Sequence, residues 1–277
     1  YVPFPTFRVS RCSRESSGTS EKAHIVSHLL EVNDVSKSFG GHAVVRHVSF
    51  VLDAGTSIGL VGSNGAGKTT LFRCVAGELP VDSGSILLDG QSLPSRPDAR
   101  ARRGIARTFQ IVELFGGQTV LDHVLVALQA HQGRQGPWRD LVHGGRTTSD
   151  ERDTCMEVLD LVGLADRADT PATTLSLGDR RAVELARALI GRPRLLLADE
   201  PSSGLDGEES RVLIRILNRV RQDTGVAVIL VDHDLGTVKA VADNVIAMDA
   251  GAIIATGSYE SVVSNPLVMA SWLGQSS

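Results

Sequence analysis

Along this chain, short apolar runs alternate with segments whose apolar residues recur every three or four positions. The runs read as strands over residues 29–32, 44–52, 57–61, 85–88, 105–109, 194–198, 226–231, 245–248 and 252–255. Within 44–52, Val48, Phe50 and Leu52 alternate with Ser49, Val51 and Asp53, the pattern of a half-buried sheet. Phe39-Gly40-Gly41 and Asp89-Gly90 supply turns. Helical spacing falls over 68–76, 119–131, 150–162, 178–190, 208–221 and 235–241, with two weaker turns around Pro266. Thr119 stands as an N-cap and Gly163 as a stop.

Strands alternating with helices in this way predict an α/β chain, with a largely parallel sheet and helices packed against it. Residues 111–177 break the alternation and read as a mainly helical insertion. The arginine-dense stretch 96–103 reads as a solvated helix face. Residues 1–27 are rich in Ser, Arg and Pro and lack both periodicity and the apolar core of a signal peptide. They are expected to form a flexible tail or linker, leaving 28–277 as the folded unit. Tyr1 rather than Met opens the sequence, as in a processed product or part of a longer polypeptide. His24 and His28, four apart in polar surroundings, read as solvated rather than as metal ligands.

Composition changes this picture in three respects. The formal net charge of -4 gives no support to a nucleic-acid surface, so no nucleic-acid partner is expected. No apolar run approaches the roughly 18 residues of a spanning helix, so any membrane association is expected to come through a partner. Cys12, Cys74 and Cys155 are scattered and odd in number, which suggests reduced thiols in a cytosolic compartment.

The candidate chemistry begins at Gly62-Ser63-Asn64-Gly65-Ala66-Gly67-Lys68-Thr69-Thr70, which fits the phosphate-loop pattern G-x-x-x-x-G-K-[ST] between a strand and a helix. Its glycines let consecutive backbone N–H groups turn toward phosphate oxygens, and the helix N-terminus adds its positive end. Lys68 can reach the β- and γ-phosphates, and the Thr69 hydroxyl can ligate Mg²⁺. The run Leu195-Leu196-Leu197-Ala198 delivers Asp199 to a strand end, where it can hold Mg²⁺. Glu200 beside it can take a proton from an attacking water as a general base. His233 follows the strand 226–231 and reaches the same edge, where it can polarise or sense the γ-phosphate; a lone His is more often structural. Gln110 ends another strand and can position water or Mg²⁺, though alone it reads as an ordinary polar residue. Ser176 in Leu175-Ser176-Leu177-Gly178-Asp179 opens a helix, either as a plain N-cap or as part of a second anion-binding face.

The ordered set Gly62–Thr69, Gln110, Leu175–Asp179, Leu197–Glu200, Leu205-Asp206 and His233 resembles the ATP-binding cassette ATPases. In order, these are similar to that family's Walker A, Q-loop, signature, Walker B, D-loop and H-loop. The resemblance implies a phosphate-loop NTPase core with an N-terminal antiparallel β subdomain and a helical subdomain insertion. It implies ATP and Mg²⁺ as cofactors, with Thr69, Gln110 and Asp199 toward the metal. It also implies a head-to-tail pair of ATPase subunits, in which Ser176, Gly178 and Asp206 of one subunit close over ATP held by the other's Lys68, with Phe39 stacked on adenine. The insertion and the Gln110 loop would receive a transmembrane permease subunit at the cytoplasmic face of the membrane.

Within the family, Lys37-Ser38-Phe39-Gly40-Gly41, the stretch 104–110, Glu113-Leu114-Phe115 with Thr119-Val120, and Ala270-Ser271-Trp272-Leu273-Gly274 are most similar to the ATPases of branched-chain amino-acid importers. Amide and urea importer ATPases, exporter ATPases, a soluble cassette ATPase of the iron–sulfur assembly type and a non-hydrolysing regulatory subunit are the alternatives. The signature departs from the family pattern, with Leu177 and Asp179 where Gly and Gln are commonest, and Asp179 sets a negative charge near a triphosphate site. Ala198 stands where a larger aliphatic is usual.

Overall fold

The computed structural model of the chain describes residues 28–108, 114–115, 117–133 and 148–273. Two sheets pack across a shared cluster of apolar side chains. The first is antiparallel, in the order β2-β1-β4-β5, from β1 (Leu30–Phe39), β2 (His42–Leu52), β4 (Ser83–Leu88) and β5 (Gln91–Ser92). Gly40 and Gly41 close the β1–β2 hairpin with φ of 54° and 84°, the double left-handed turn that a two-residue hairpin favours. The sequence pattern caught only the first residues of β1. Asn33 and Asp34 interrupt its alternation, and they sit where the register shifts, with Asp34 at φ 51°.

The second sheet has the order β10-β9-β3-β8-β7-β6, from β3 (Ser57–Gly62), β6 (Ile105–Arg107), β7 (Leu195–Asp199), β8 (Ala227–Val231), β9 (Asn244–Asp249) and β10 (Ala252–Gly257). All its pairings are parallel except that of β10 with β9. β7 and β8 are buried along their whole length, as strands covered on both faces must be. Alternate residues of β7 feed two separate clusters. Leu196 and Ala198 join the helices α3 (Val120–His131), α4 (Ser149–Leu161), α5 (Leu177–Leu189) and α6 (Gly207–Thr224) on one face. Leu195 and Leu197 join the antiparallel sheet and α1 (Lys68–Ala76) on the other.

The expected helices form, and their caps explain their ends. Thr119 caps α3 and Thr148 caps α4, each closing a capping box with an acid three residues on, Asp122 and Glu151. α4 therefore begins ahead of the expected start at 150. The remaining helices are α2 (Pro97–Ala101), α7 (Leu235–Val241), α8 (Tyr259–Val263) and α9 (Pro266–Leu273). The arginine-dense stretch is corrected at one residue. Arg100 is not solvated: its guanidinium donates to the carbonyls of Cys74, Val75 and Pro94, closing the C-terminal end of α1. Cys74 and Cys155 are free buried thiols; Cys12 lies outside the described residues. Among the described residues no helix is long and apolar enough to cross a membrane.

Candidate functional site

Register brings the site together. Leu60 of β3 and Asp199 of β7 both pair with Val231 of β8. The phosphate loop, the Asp199–Glu200 pair and His233 therefore leave the sheet at one carboxyl edge, where ligands of open α/β sheets bind.

The loop's glycines have distinct causes. Gly62 and Gly67 have φ of 147° and 95°, and a Cβ on either would strike a carbonyl oxygen, that of Met248 or Val44. Gly65, at φ 80°, faces open space. Two glycines are thus fixed by packing and one by conformation alone. Gly67 caps α1 without a side chain, which leaves the first-turn N–H groups to an external anion. Ala66 N donates to Ser63 O at 3.1 Å within the loop, and Ser63 Oγ donates to Asp249 Oδ1 at 3.3 Å. Lys68 is buried, and its Nζ donates to the carbonyls of Gly62 at 2.7 Å and Ser63 at 2.8 Å. Burial pushes its ammonium below the ordinary lysine value, and the Glu200 carboxylate opposes that shift. Asn64 and Thr69 are exposed and Thr70 half-buried at the mouth of the loop.

Asp199 is buried, and its Oδ2 accepts from Arg107 Nη2 at 2.6 Å. Glu200 adopts φ 46°, a left-handed backbone uncommon for a residue with a Cβ, and its N–H donates to Val231 O at 2.7 Å. That turn sets its Oε1 3.0 Å from His233 Nε2. Behind His233, buried Asp232 accepts from Ser202 Oγ at 2.7 Å, Ser202 N at 3.1 Å and Asp234 N at 2.9 Å. One carboxylate thus ties the turn after Glu200 to the turn carrying His233. Asp234 caps α7; its bond from the Thr237 hydroxyl, with those from the Gly236 and Thr237 N–H groups, holds its carboxyl below the usual range.

A metal at this edge fits the donors present. Thr69 offers a hydroxyl and Asp199 a carboxylate, the sparse oxygen set with which Mg²⁺ is shared between protein and phosphates. Among the described residues no three His, Cys, Asp or Glu side chains group to hold a metal by themselves.

Three of the other expected residues, Ser176, Gly178 and Asp206, gather at the starts of α5 and α6. Ser176 caps α5, accepting from Asp179 N at 3.1 Å. Gly178 N donates to Glu209 Oε1 at 3.1 Å, and the other oxygen of Glu209 accepts from Asp206 N at 3.4 Å. Asp206 caps α6, accepting from Glu208 N and Glu209 N at 2.8 Å each. Among the described hydrogen bonds none joins Ser176, Gly178 or Asp206 to the phosphate loop of the same chain. Asp179 forms an ion pair with Arg167, so the departure in the signature carries its own counter-charge. Phe39 stands at the hairpin tip, 47% exposed. Its strand is anchored by Asp82, which accepts from Lys37 Nζ at 2.6 Å and Ser38 N at 2.7 Å. Gln110 lies outside the described residues.

Sequence reading missed Arg107, Asp232, Arg167 and Glu209. Asp232 and Arg107 adjoin expected residues or a strand end, and a charged residue entering a buried edge was the available signal. Arg167 and Glu209 carried none.

The profile of the ABC transporter family matches residues 45–203. The chain is 35% identical over 251 residues to the high-affinity branched-chain amino acid transport ATP-binding protein LivG of Escherichia coli, covering 89% of this chain and 98% of that protein. BraF of Pseudomonas aeruginosa, with the same description, is 33% identical over the same shares. The methionine import ATP-binding protein MetN of Rhizobium johnstonii is 34% identical over 86% of this chain and 63% of its own length. Among solved structures, an ATP-binding cassette of an ABC transporter in its ADP conformation superposes with TM-score 0.78 at 25% identity, covering 90% of this chain and 99% of that one. The chain belongs to the ABC transporter family, as one of its ATPase subunits.

Proposed function

We propose that this chain is the ATP-hydrolysing subunit of a membrane importer for branched-chain or other hydrophobic amino acids. The observation that carries the chemistry is the shared sheet edge, where the phosphate loop, Asp199 and the Glu200–His233 pair meet within hydrogen-bonding reach of one another's strands. ATP lies with its phosphates against the N–H groups of 62–70, and Lys68 turns from the Gly62 and Ser63 carbonyls to phosphate oxygens. Phe39 stacks on the adenine. Thr69, Asp199 and Gln110 would hold Mg²⁺, which would supply positive charge against the phosphate oxygens. Glu200 takes the proton of the attacking water as its oxygen bonds to the γ-phosphorus and ADP leaves, and His233 keeps that carboxylate aimed.

Two ATPase subunits close on each other, with Ser176, Gly178 and Asp206 of one facing the ATP of the other. Residues 28–277 form the cassette, with 1–27 as tail. The insertion 111–177 and Gln110 receive a permease subunit, which holds the chain at the cytoplasmic face of the membrane. No nucleic acid is involved. The substrate class is supported by likeness along 98% of a relative described as a high-affinity branched-chain amino acid transport protein. The methionine relatives keep other apolar amino acids within the reading.

The test is co-purification from native membranes in mild detergent, followed by ATPase assay of the recovered complex. Recovery with polytopic membrane proteins, and turnover stimulated by leucine, isoleucine or valine, is expected. Recovery with soluble partners alone would leave only the ATPase chemistry standing and favour a cassette ATPase without a permease.

A further inference from the structure

Arg107 sits on the last residue of β6, paired in register with Leu197, two residues before Asp199 on β7. Its guanidinium reaches groups on other elements. Nη2 donates to Asp199 Oδ2 at 2.6 Å, Nη1 forms an ion pair with Glu78, and the guanidinium carbon lies 5.1 Å from the centre of the buried Phe72 ring. Phe72 belongs to α1, the phosphate-loop helix, and Glu78 follows that helix directly. Glu78 is itself held by Arg73 at 3.2 Å.

A carboxylate as buried as Asp199 is costly to leave without a cation or strong donors beside it. A lysine would supply the charge. The arginine fork supplies more, because one rigid plane reaches two carboxylates on different elements while stacking on a ring. The orientation of the Asp199 carboxylate is thereby referred to the helix that opens at Lys68 and Thr69.

We propose that Arg107 is a positioning residue for the metal site: it fixes the Asp199 carboxylate against the end of the phosphate-loop helix, so that the Mg²⁺ donors on β7 and α1 keep one geometry. This rests on the reading of Asp199 as a Mg²⁺ ligand. Oriented carboxylates are worth about 10–100-fold in metal affinity at comparable sites.

The test uses the full chain and the binding of fluorescent ADP, first in EDTA and then across a Mg²⁺ titration. Arg107→Ala is expected to bind ADP in EDTA as the native chain does, while the Mg²⁺ concentration at half-effect rises about tenfold. Asp199→Asn, run in parallel, is expected to raise it at least as far. An unchanged Mg²⁺ requirement in Arg107→Ala, with Asp199→Asn shifted, overturns the inference and leaves the metal reading intact. An unchanged requirement in Asp199→Asn overturns both. If Arg107→Ala yields no folded chain, Arg107→Lys is read instead. The same rise is expected there, because an ammonium cannot hold both carboxylates in one plane, and an unchanged requirement in that variant is equally fatal.

Discussion

His233 Nε2 lies 3.0 Å from Glu200 Oε1, each residue just beyond the end of one of two adjacent parallel strands. The contact depends on a strained backbone, since Glu200 turns at φ 46° to reach it. A residue that aims a general base acts on turnover, not on nucleotide affinity. His233→Ala is expected to bind ATP as the native chain does and to release phosphate about 100-fold more slowly or worse. Native turnover in that variant would make the pair a structural contact.

Asp232 tests the support beneath that pair. Its carboxylate accepts from Ser202 twice and from Asp234 once, in the interior. Asp232→Ala leaves those donors unmatched and is expected to cost about 2–4 kcal/mol, read from urea unfolding. Turnover in that variant is expected to fall further than that of a surface mutant of equal stability, because the turns after Glu200 and around His233 lose their common anchor. A loss below about 0.5 kcal/mol would mean that water replaces the carboxylate.

The Arg167–Asp179 pair makes a claim about subunit closure. Both groups are partly exposed, which limits the pair's worth in the free chain. At a closed interface an uncompensated Asp179 would face triphosphate. In a Glu200→Gln background, Arg167→Ala is expected to raise the ATP concentration for dimer formation about 2–5-fold, and adding Asp179→Gln is expected to restore it. Analytical ultracentrifugation reads both. No rescue by the second change would separate Arg167 from the signature.

His123 gives a pH dependence. It is buried, its Nε2 accepts from Phe115 N at 2.9 Å, and its Nδ1 donates to Thr119 O at 2.8 Å, so it is neutral. Burial pushes its pKa below the ordinary 6.5, partly offset by the Thr119 carbonyl. The unfolded chain therefore takes up the proton first. The stabilisation is whole above about 6.5 and is lost as pH falls through the lower folded value. The urea midpoint is expected to drop between about pH 7.5 and 5.5, and to drop less in His123→Gln. Parallel declines in the two chains would assign the loss to other groups.

Much of this was legible in the sequence because its causes are local. Thr119 announced its helix, 235–241 formed as read, and the Gly62–Thr70 loop fell between its strand and helix. What stayed hidden depends on partners far apart in the chain. Arg107 and Asp199 are separated by 92 positions, and Ser202 and Asp232 by 30. Arg100 looked solvated because its acceptors, the last carbonyls of α1, carry no side-chain signature. Ser176 was ambiguous for a physical reason: the same helix start that a serine caps also offers N–H groups to an anion.

The account turns on Glu200 as the base that activates water at a nucleotide-loaded site. The most direct measurement is phosphate release and ATP binding in one preparation of Glu200→Gln, beside the native chain. The account predicts ATP affinity within about twofold of native and turnover lowered by roughly 100–10,000-fold. Native-like turnover with native-like binding would contradict it and move the catalytic base away from the end of β7.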